Sequence, residues 1–464
     1  MERLLELVLS LAIVGSALAF GGVQPLTYSL VEAAIFLAVL FLLLKQTRNG
    51  KVVFPLPLWP VLFALLVVFQ VIPLPSGLVA RLSPVRLAGL DLAGPSDSRV
   101  SWMTLSVYPH ESLLALVKFL ALVCAFVLTA CLFDSRKRKS TLLKTLVIIG
   151  CVEAAYGIVQ YLTGWQKIFT YAKQYDLSEA TGTYINRNHF AGLLELTCPF
   201  IVTSVLYHFQ VWSGSRRPGA IRRPRGTDGV SPSQIYFYLF LLVIVSLGIV
   251  FSRSRGGILA SVFSIVFMAL LALPKVQRKG WMIGVFLFLV CAAALAIWIG
   301  LSPVLARFEQ IGDRSYLSME PRISFWKDSL RYVRDYPVTG TGLGTFGLGF
   351  RHYQTTTLEK YVDHAHNDYL EVAAETGVAG AALFFLPILW LLAKMITSFL
   401  DDTGRYRGAV TLGCIGSTVA LLLHSLTDFN LQILANALVF AVVLGIAYKI
   451  VFIERREPLP AAPA

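Results

Sequence analysis

The sequence has few charged residues and few cysteines for its length. Charged side chains make up 14% of the 464 residues, whereas hydrophobic side chains make up 56%. A water-soluble domain could not bury so much apolar surface, so the composition excludes a soluble globular protein. All six cysteines lie in or at the edges of apolar runs. The loops therefore have no disulfide framework and no CxxC pair that could hold a metal.

The apolar residues are arranged in long runs, and the mean hydropathy is +0.68. Each run is long enough to cross a hydrocarbon core roughly 30 Å thick. We count twelve, at about residues 4–20, 27–44, 57–74, 111–132, 142–162, 189–210, 234–251, 257–273, 281–300, 369–397, 408–424 and 430–451. The pattern predicts an all-α polytopic membrane protein.

The first run ends in SALAF, which resembles a signal-peptide cleavage site after Ala19. A signal peptide begins with a basic segment, and Glu2 and Glu6 interrupt any such segment here. We therefore expect the first run to be retained as a membrane span.

Lysine and arginine are concentrated in every second loop. The clusters are KQTRNGK (45–51), SRKRK (135–139), SRRPGAIRRPR (215–225), KVQRK (275–279), RYR (405–407) and ERR (454–456). Because positively charged loops stay in the cytoplasm, we expect both termini there, and residues 75–110, 163–188, 252–256, 301–368 and 425–429 outside. The formal net charge of +13 is spread over these loops, so it indicates contact with anionic lipid rather than with nucleic acid.

This order of runs and loops predicts four parts. Residues 1–134 hold spans one to four, residues 135–300 hold spans five to nine, and residues 301–368 form an outer loop. Residues 369–464 hold spans ten to twelve and a cytoplasmic tail. Only the 301–368 loop is long enough to form a small structured cap.

Two patterns stand out within this loop. RISFWKDSLRYVRDY (322–336) predicts an amphipathic helix at the membrane interface, because its apolar residues share one helical stripe: Ile323, Trp326, Leu330 and Val333. GTGLGTFGLGF (340–350) satisfies GxGxxG literally. A dinucleotide site would need a strand before it and a βαβ unit around it, and the sequence has neither. The glycines instead predict a tight turn or a loop whose backbone N–H groups approach a ligand.

The stretch YVDHAHNDYLEV (361–372) concentrates polar residues just before span ten. Asp368 and Glu371 resemble a capping pair, which places the start of the span near Asp368. His364 and His366 precede that helix N-terminus, where anions are favoured. Two other interpretations remain open. The polar residues could only cap the helix, or Asp363, His364, His366 and Asp368 could bind zinc.

Three further outer segments carry polar residues at membrane depth, where charges usually face a cavity or a partner. They are TGTYINRNHFAG (181–192), FSRSRGG (251–257) and HSLTDFN (424–430). Arginines suit phosphate oxygens, and a histidine can take a proton from a hydroxyl near neutral pH. Together they indicate a lipid-phosphate substrate and an acceptor hydroxyl.

The spacing HN, nine residues, GVAG (His366 to Gly380) resembles the signature of the O-antigen ligase family. That family includes lipopolysaccharide O-antigen ligases, Wzy-type polysaccharide polymerases and pilin oligosaccharyltransferases. The resemblance extends, in the family's order, to GTYINRNHFAG, SRSRGG, an arginine followed by FW, and GTGLGTF. It covers about residues 150–450, whereas the first four spans match only in hydrophobicity.

The resemblance implies transfer of a glycan from undecaprenyl diphosphate to an acceptor hydroxyl, such as a lipid A-core sugar, at the periplasmic face of the inner membrane. The 301–368 loop is then periplasmic, and the inverting reaction needs no cofactor and no metal. It implies that His366 is the general base and that Arg255 and Arg322 bind the diphosphate, with Arg187 a weaker candidate. The secondary candidates are His364, Asn367, Arg253, Asn186, Asn188 and Asp428.

Two alternative functions remain at this point. A Wzy-type polymerase would add repeat units to a growing lipid-linked glycan, and it differs from a ligase only in its acceptor. A polysaccharide transporter or flippase would carry intramembrane charges along a path through the middle of the protein.

Overall fold

The computed structural model describes residues 2–50, 52–86, 101–214, 231–275, 321–355 and 362–454. These residues form an all-α protein, with only two minimal hairpins that pair Leu74–Pro75 with Trp102–Met103 and Lys167–Ile168 with Tyr171–Ala172. The α-helices are Glu2–Leu18, Pro25–Arg48, Leu58–Val71, Ser76–Leu82, Pro109–Leu132, Arg136–Thr163, Arg187–Gly214, Pro232–Phe251, Arg255–Ala272, Pro321–Asp335, Phe346–Phe350, Asp368–Asp401, Arg405–His424 and Leu434–Tyr448. Short 3-10 helices lie at Phe20–Gly22, Leu273–Lys275 and Asn430–Gln432, and a π-helix lies at Lys449–Ile453.

Nine of the helices in the described ranges are long and apolar enough to cross a membrane. The first and third predicted spans also fall on helices, but those contain 17 and 14 residues. The third ends at Val71 because Ile72 precedes a proline and adopts an extended conformation (ψ 132°). The ninth predicted span, 281–300, lies outside the described residues.

The helices divide into central and peripheral ones. In the helix that begins at Leu434, 83% of the apolar window is buried, compared with 33% for Pro25–Arg48. A Cβ atom at Gly413 would lie 2.6 Å from the Phe200 ring, so the two central helices that carry these residues approach closely at this glycine. The peripheral helices present their apolar residues outward, as expected for a lipid-facing surface.

The segments predicted to lie outside meet at one end of the bundle. The Val107 N–H donates to the Thr341 carbonyl (2.8 Å), and the Asp368 N–H donates to the Ser425 carbonyl (2.9 Å). The opposite end holds the basic segments that the structure describes, where Arg138 pairs with Glu2 (2.6 Å). The arrangement agrees with a chain whose polar loops alternate between two faces.

The predicted amphipathic helix is present at Pro321–Asp335, but its buried face differs from the predicted stripe. Phe325, Asp328 and Tyr332 are buried against the protein, whereas Leu330 is 57% exposed. Hydrophobicity alone predicts the stripe. In the structure, the helix is oriented by Phe325, which packs on Phe350, and by Tyr332, which packs on Tyr353.

The Asp368–Asp401 helix is interrupted at Gly377, which has φ 73° and ψ 172°. The interruption leaves backbone groups without helical partners, and the glycine loop supplies them. Thr341 N–H donates to the Ala374 carbonyl (3.1 Å), and Gly342 N–H donates to the Glu375 carbonyl (2.9 Å). Gly377 therefore lies in close contact with the loop before the span. Unpaired backbone groups at membrane depth are costly, so loop and span stabilise each other.

The arrangement of the two ends predicts a labelling pattern. A cysteine introduced at the exposed His352, at the polar-loop end, should react with an impermeant maleimide in intact spheroplasts. A cysteine at the exposed Thr403, at the basic end, should react only after lysis, and the unmodified protein gives the background. Labelling of Thr403→Cys but not His352→Cys in intact cells would reverse the topology.

Replacement of Gly377 by alanine should destabilise the protein. The φ and ψ at this position are essentially restricted to glycine, which costs about 1–3 kcal/mol for other residues, and the new Cβ would collide with the Val338 carbonyl. Gly408→Ala is the matched control, because its Cβ would lie 3.9 Å from Phe399 in an ordinary helix. Thermal unfolding of the detergent-purified variants measures the difference, and equal midpoints would contradict the role of Gly377.

Candidate active site

Asp428 lies at the centre of the polar-loop end, in the turn that follows the Arg405–His424 helix. Its side chain is fully buried, and side-chain donors from three other chain segments surround its carboxylate. Nδ1 of His366 lies 3.5 Å and Nε2 of His189 lies 3.4 Å from Oδ1. Nη2 of Arg322 lies 3.3 Å from Oδ2. The amide of Asn188 also donates to Oδ2.

These donors stabilise Asp428 as a carboxylate. Burial alone would raise the pKa of this carboxyl, but its contacts with His189 and His366 and the charge of Arg322 hold the pKa well below its usual value. The negative charge is therefore retained at neutral pH beside both imidazoles.

The backbone and the ring of His366 are restrained by contacts with two aromatic side chains. Its backbone is left-handed (φ 49°), which is uncommon outside glycine, and its carbonyl accepts from the Trp326 indole (3.3 Å). The ring packs edge-on against Phe429, with centroids 4.9 Å apart. Nδ1 is buried although 26% of the side chain is exposed, so the exposure falls on other ring atoms. Asp428 next to Nδ1 favours the tautomer that leaves Nε2 able to accept a proton.

The neighbouring histidine has a different environment. Nδ1 of His364 lies 2.8 Å from a carboxylate oxygen of Glu371, and its ring stacks on Phe429 at 4.1 Å. Burial alone would lower the pKa of His364, but the charge and hydrogen bond of Glu371 raise it to about 9. His364 therefore carries a proton at neutral pH and is a poor base, although it is a suitable cation.

Asn367 caps the following helix, so the expected capping pair of Asp368 and Glu371 is wrong. The Asn367 side chain accepts from the Leu370 N–H (3.0 Å). Glu371 instead accepts from the Ala365 N–H (2.9 Å), and Asp368 accepts from the Ser425 hydroxyl (2.7 Å). The helix does begin at Asp368, as predicted.

Arg187 and Arg253 belong to a second cluster. Arg187 lies 2.9 Å from Glu179, and Arg253 lies 3.8 Å from the same carboxylate. Arg253 also lies over the Tyr161 ring, 5.4 Å from its centroid. Asn186 links the two clusters, because its side chain accepts from the Asn188 N–H (2.7 Å). Arg187 is thus paired with Glu179 and Asp176, whereas Arg322 is paired with Asp428.

Arg255 is the first residue of its helix, and this helix begins close to the turn that carries Asp428. Ser254 caps this helix by accepting from the Gly257 N–H (3.2 Å). A Cβ atom at the neighbouring Gly256 would lie 2.5 Å from the Thr427 hydroxyl. The glycines of SRSRGG thus let the helix N-terminus that carries Arg255 pack directly against the turn that carries Asp428.

Several site residues were missed by the sequence reasoning. Phe429 contacts three histidine rings, and Glu195 lies 3.1 Å from Nδ1 of His424. The role of Glu371 was also different from the one expected. An acidic residue inside an apolar run was a usable signal for Glu195, because such a residue needs a partner. Nothing in the sequence marked Phe429.

The proposed zinc set is not brought together. His364 faces Glu371, His366 faces Asp428, and Asp368 faces Ser425. Among the described residues, no group of three His, Cys, Asp or Glu side chains is arranged to hold a metal ion.

Part of the chain matches a known family. No curated protein matches the chain. Residues 240–385 match the family model described as O-antigen ligase. The matched stretch contains both arginines of SRSRGG, Arg322 and both candidate histidines, whereas Asn188 and Asp428 lie outside it. The match covers less than a third of the chain, and it makes the matched stretch similar to the O-antigen ligase family.

Proposed function

We propose that the protein is an O-antigen ligase-type glycosyltransferase. It moves a glycan from undecaprenyl diphosphate to an acceptor hydroxyl, such as a lipid A-core sugar, at the periplasmic face of the bacterial inner membrane. The matched family consists of membrane enzymes, ligases and polymerases, that act on glycans. The nine apolar helices of the described chain are suited to such a setting.

The pairing of His366 with Asp428 carries this proposal. A buried carboxylate 3.5 Å from Nδ1 orients the ring and stabilises the imidazolium that forms when Nε2 takes a proton. His364, two residues away, is paired with Glu371 and is already protonated at neutral pH. The environments therefore favour His366 as the base.

The arginines suit the leaving group. Arg322 uses one nitrogen on Asp428, and a guanidinium has five N–H donors, so others remain for phosphate oxygens. Arg255 lies at a helix N-terminus, which itself favours an anion. The protonated His364 adds another positive charge nearby.

In the proposed reaction, the acceptor oxygen bonds to the anomeric carbon of the donor sugar as the bond from that carbon to the diphosphate oxygen breaks. His366 takes the hydroxyl proton, and the electron pair of the broken bond leaves on undecaprenyl diphosphate. Attack opposite the diphosphate inverts the anomeric centre. The donor is already activated, so the chemistry needs a base and cations but no nucleotide.

Buried charges elsewhere favour an enzyme over a transporter. Glu153 accepts from the Thr183 N–H (2.8 Å), Glu375 accepts from the Phe346 N–H (2.9 Å), and Lys118 donates to the Gln432 carbonyl. All these partners belong to the polar-loop end. A transport path would instead distribute charged residues through the middle of the membrane.

His366→Ala should reduce glycan transfer by at least 10²–10⁴-fold, the usual contribution of a general base, while donor binding persists. His364→Ala should lose much less activity, and His352→Ala is an exposed-histidine control. The assay gives purified protein a lipid-linked glycan with either lipid A-core or a second lipid-linked glycan as acceptor. Preference for lipid A-core identifies a ligase and chain extension identifies a polymerase. An inactive His364 variant beside an active His366 variant would overturn the base assignment.

Arg322→Lys and Arg255→Lys should each impair transfer and weaken donor binding, because a lysine keeps the charge but loses the planar fork that binds two phosphate oxygens. Arg331→Lys is the matched control, since Arg331 lies on the same helix as Arg322 and is exposed with Asp328 as partner. Donor binding is measured with undecaprenyl diphosphate in detergent. Full activity in both site variants would remove these arginines from the diphosphate site.

A further inference from the structure

More hydrogen-bond donors surround the carboxylate of Asp428 than it can accept bonds from. Five groups converge on it: the N–H of Phe429 at 2.9 Å, His189, His366, Arg322 and Asn188. A carboxylate offers about four lone-pair sites, two on each oxygen. One donor must therefore be poorly bonded.

The excess falls on Oδ1. The Phe429 N–H, His189 and His366 all approach this oxygen, whereas Arg322 and Asn188 share Oδ2. The two imidazole nitrogens lie at 3.4 and 3.5 Å, beyond good hydrogen-bond distance. Both nitrogens are buried, and neither has a hydrogen-bond partner within the described part of the chain. The two histidines thus compete for one remaining site.

We propose that Asp428 is a switch that orients His366 fully only after Arg322 has moved from the carboxylate to the diphosphate of a bound donor. The inference rests on the proposed function, because it assigns the anion to the diphosphate. It adds a fixed order, in which the donor binds before the base becomes competent.

Arg322 is the donor best able to leave. Its side chain is 27% exposed, whereas His189 and Asn188 are buried and the Phe429 N–H is fixed to the same turn. An anion with two phosphate groups offers Arg322 a stronger partner than a single carboxylate already shared by four other donors.

Once Arg322 has left, the number of donors equals the number of lone-pair sites on the carboxylate. Four donors then share four lone-pair sites, and a small rotation of the carboxylate offers the vacated site on Oδ2 to one imidazole. The carboxylate also loses its cationic partner, so it stabilises a neighbouring imidazolium more strongly. Both changes favour proton transfer to His366 at the moment when the leaving group is neutralised.

The test follows the tautomer of His366 by nitrogen NMR in the full-length protein labelled with [¹⁵N]histidine. The His366 resonances are assigned with His366→Asn, and inorganic pyrophosphate is the probe at constant pH. Without pyrophosphate we expect averaged shifts, because His189 competes for Oδ1 of Asp428 and His366 is not held in one tautomer. Saturating pyrophosphate should shift the resonances to those of the Nδ1–H tautomer.

Two variants should reach that state without the probe. Arg322→Ala removes the competing cation, and His189→Phe removes the competing imidazole while it retains a ring against Phe429. Arg331→Ala should respond to pyrophosphate like the wild type. The two site variants act on different segments, so the test survives if one of them fails to fold.

The outcomes distinguish failure of the proposed switch from failure of the proposed function. If pyrophosphate binds but the His366 resonances do not change in the wild type, the switch is wrong and the proposed function stands. If pyrophosphate does not bind, as measured by calorimetry, the diphosphate assignment fails and the switch fails with it. If His189→Phe still shows averaged shifts, competition at Oδ1 is not the cause.

Discussion

The burial of one carboxylate constrains this whole end of the protein. An ionised side chain removed from water costs several kcal/mol unless donors surround it. Asp428 meets that requirement with side chains from three other segments, those of Asn188, Arg322 and His366. These segments lie far apart in the sequence, so the same charge that needs partners also fixes the relative positions of the candidate base and the candidate phosphate ligand.

A second constraint supports the first. The span that carries the signature glycines is broken at Gly377, and the glycine loop bonds to the carbonyl groups released there. Gln70 joins the same point, because its side-chain amide donates to the Glu375 carbonyl (2.8 Å) and the Thr339 carbonyl (2.6 Å). The glycines therefore act through backbone contact. The literal GxGxxG supports the broken span rather than a nucleotide, since its N–H groups bond to Glu375 and Gln70.

The two histidines of HAHND show how environment divides roles between similar residues. Glu371 faces His364 and Asp428 faces His366, although the histidines are separated by a single alanine. Glu371 has few other donors, so it holds a proton on His364. Asp428 is shared among five donors, so His366 competes for it with the other four. Phe429 contacts both rings, stacked on His364 and edge-on to His366.

The sequence by itself determined the all-α membrane class, because runs of about 18 apolar residues and alternating basic loops depend only on local composition. It also located the helix start at Asp368 and supplied the candidate histidines and arginines, whose roles stay predictions. Tertiary structure alone decided that Asn367 rather than Asp368 caps that helix, that Phe325 rather than Leu330 faces the protein, and that Gly377 meets a loop. It also decided which carboxylate each histidine faces. Hydrophobic periodicity reports the spacing at which apolar residues recur along the chain. These outcomes depend instead on which distant segment offers a ring contact or a hydrogen-bond donor. Such segments meet only in the packed chain.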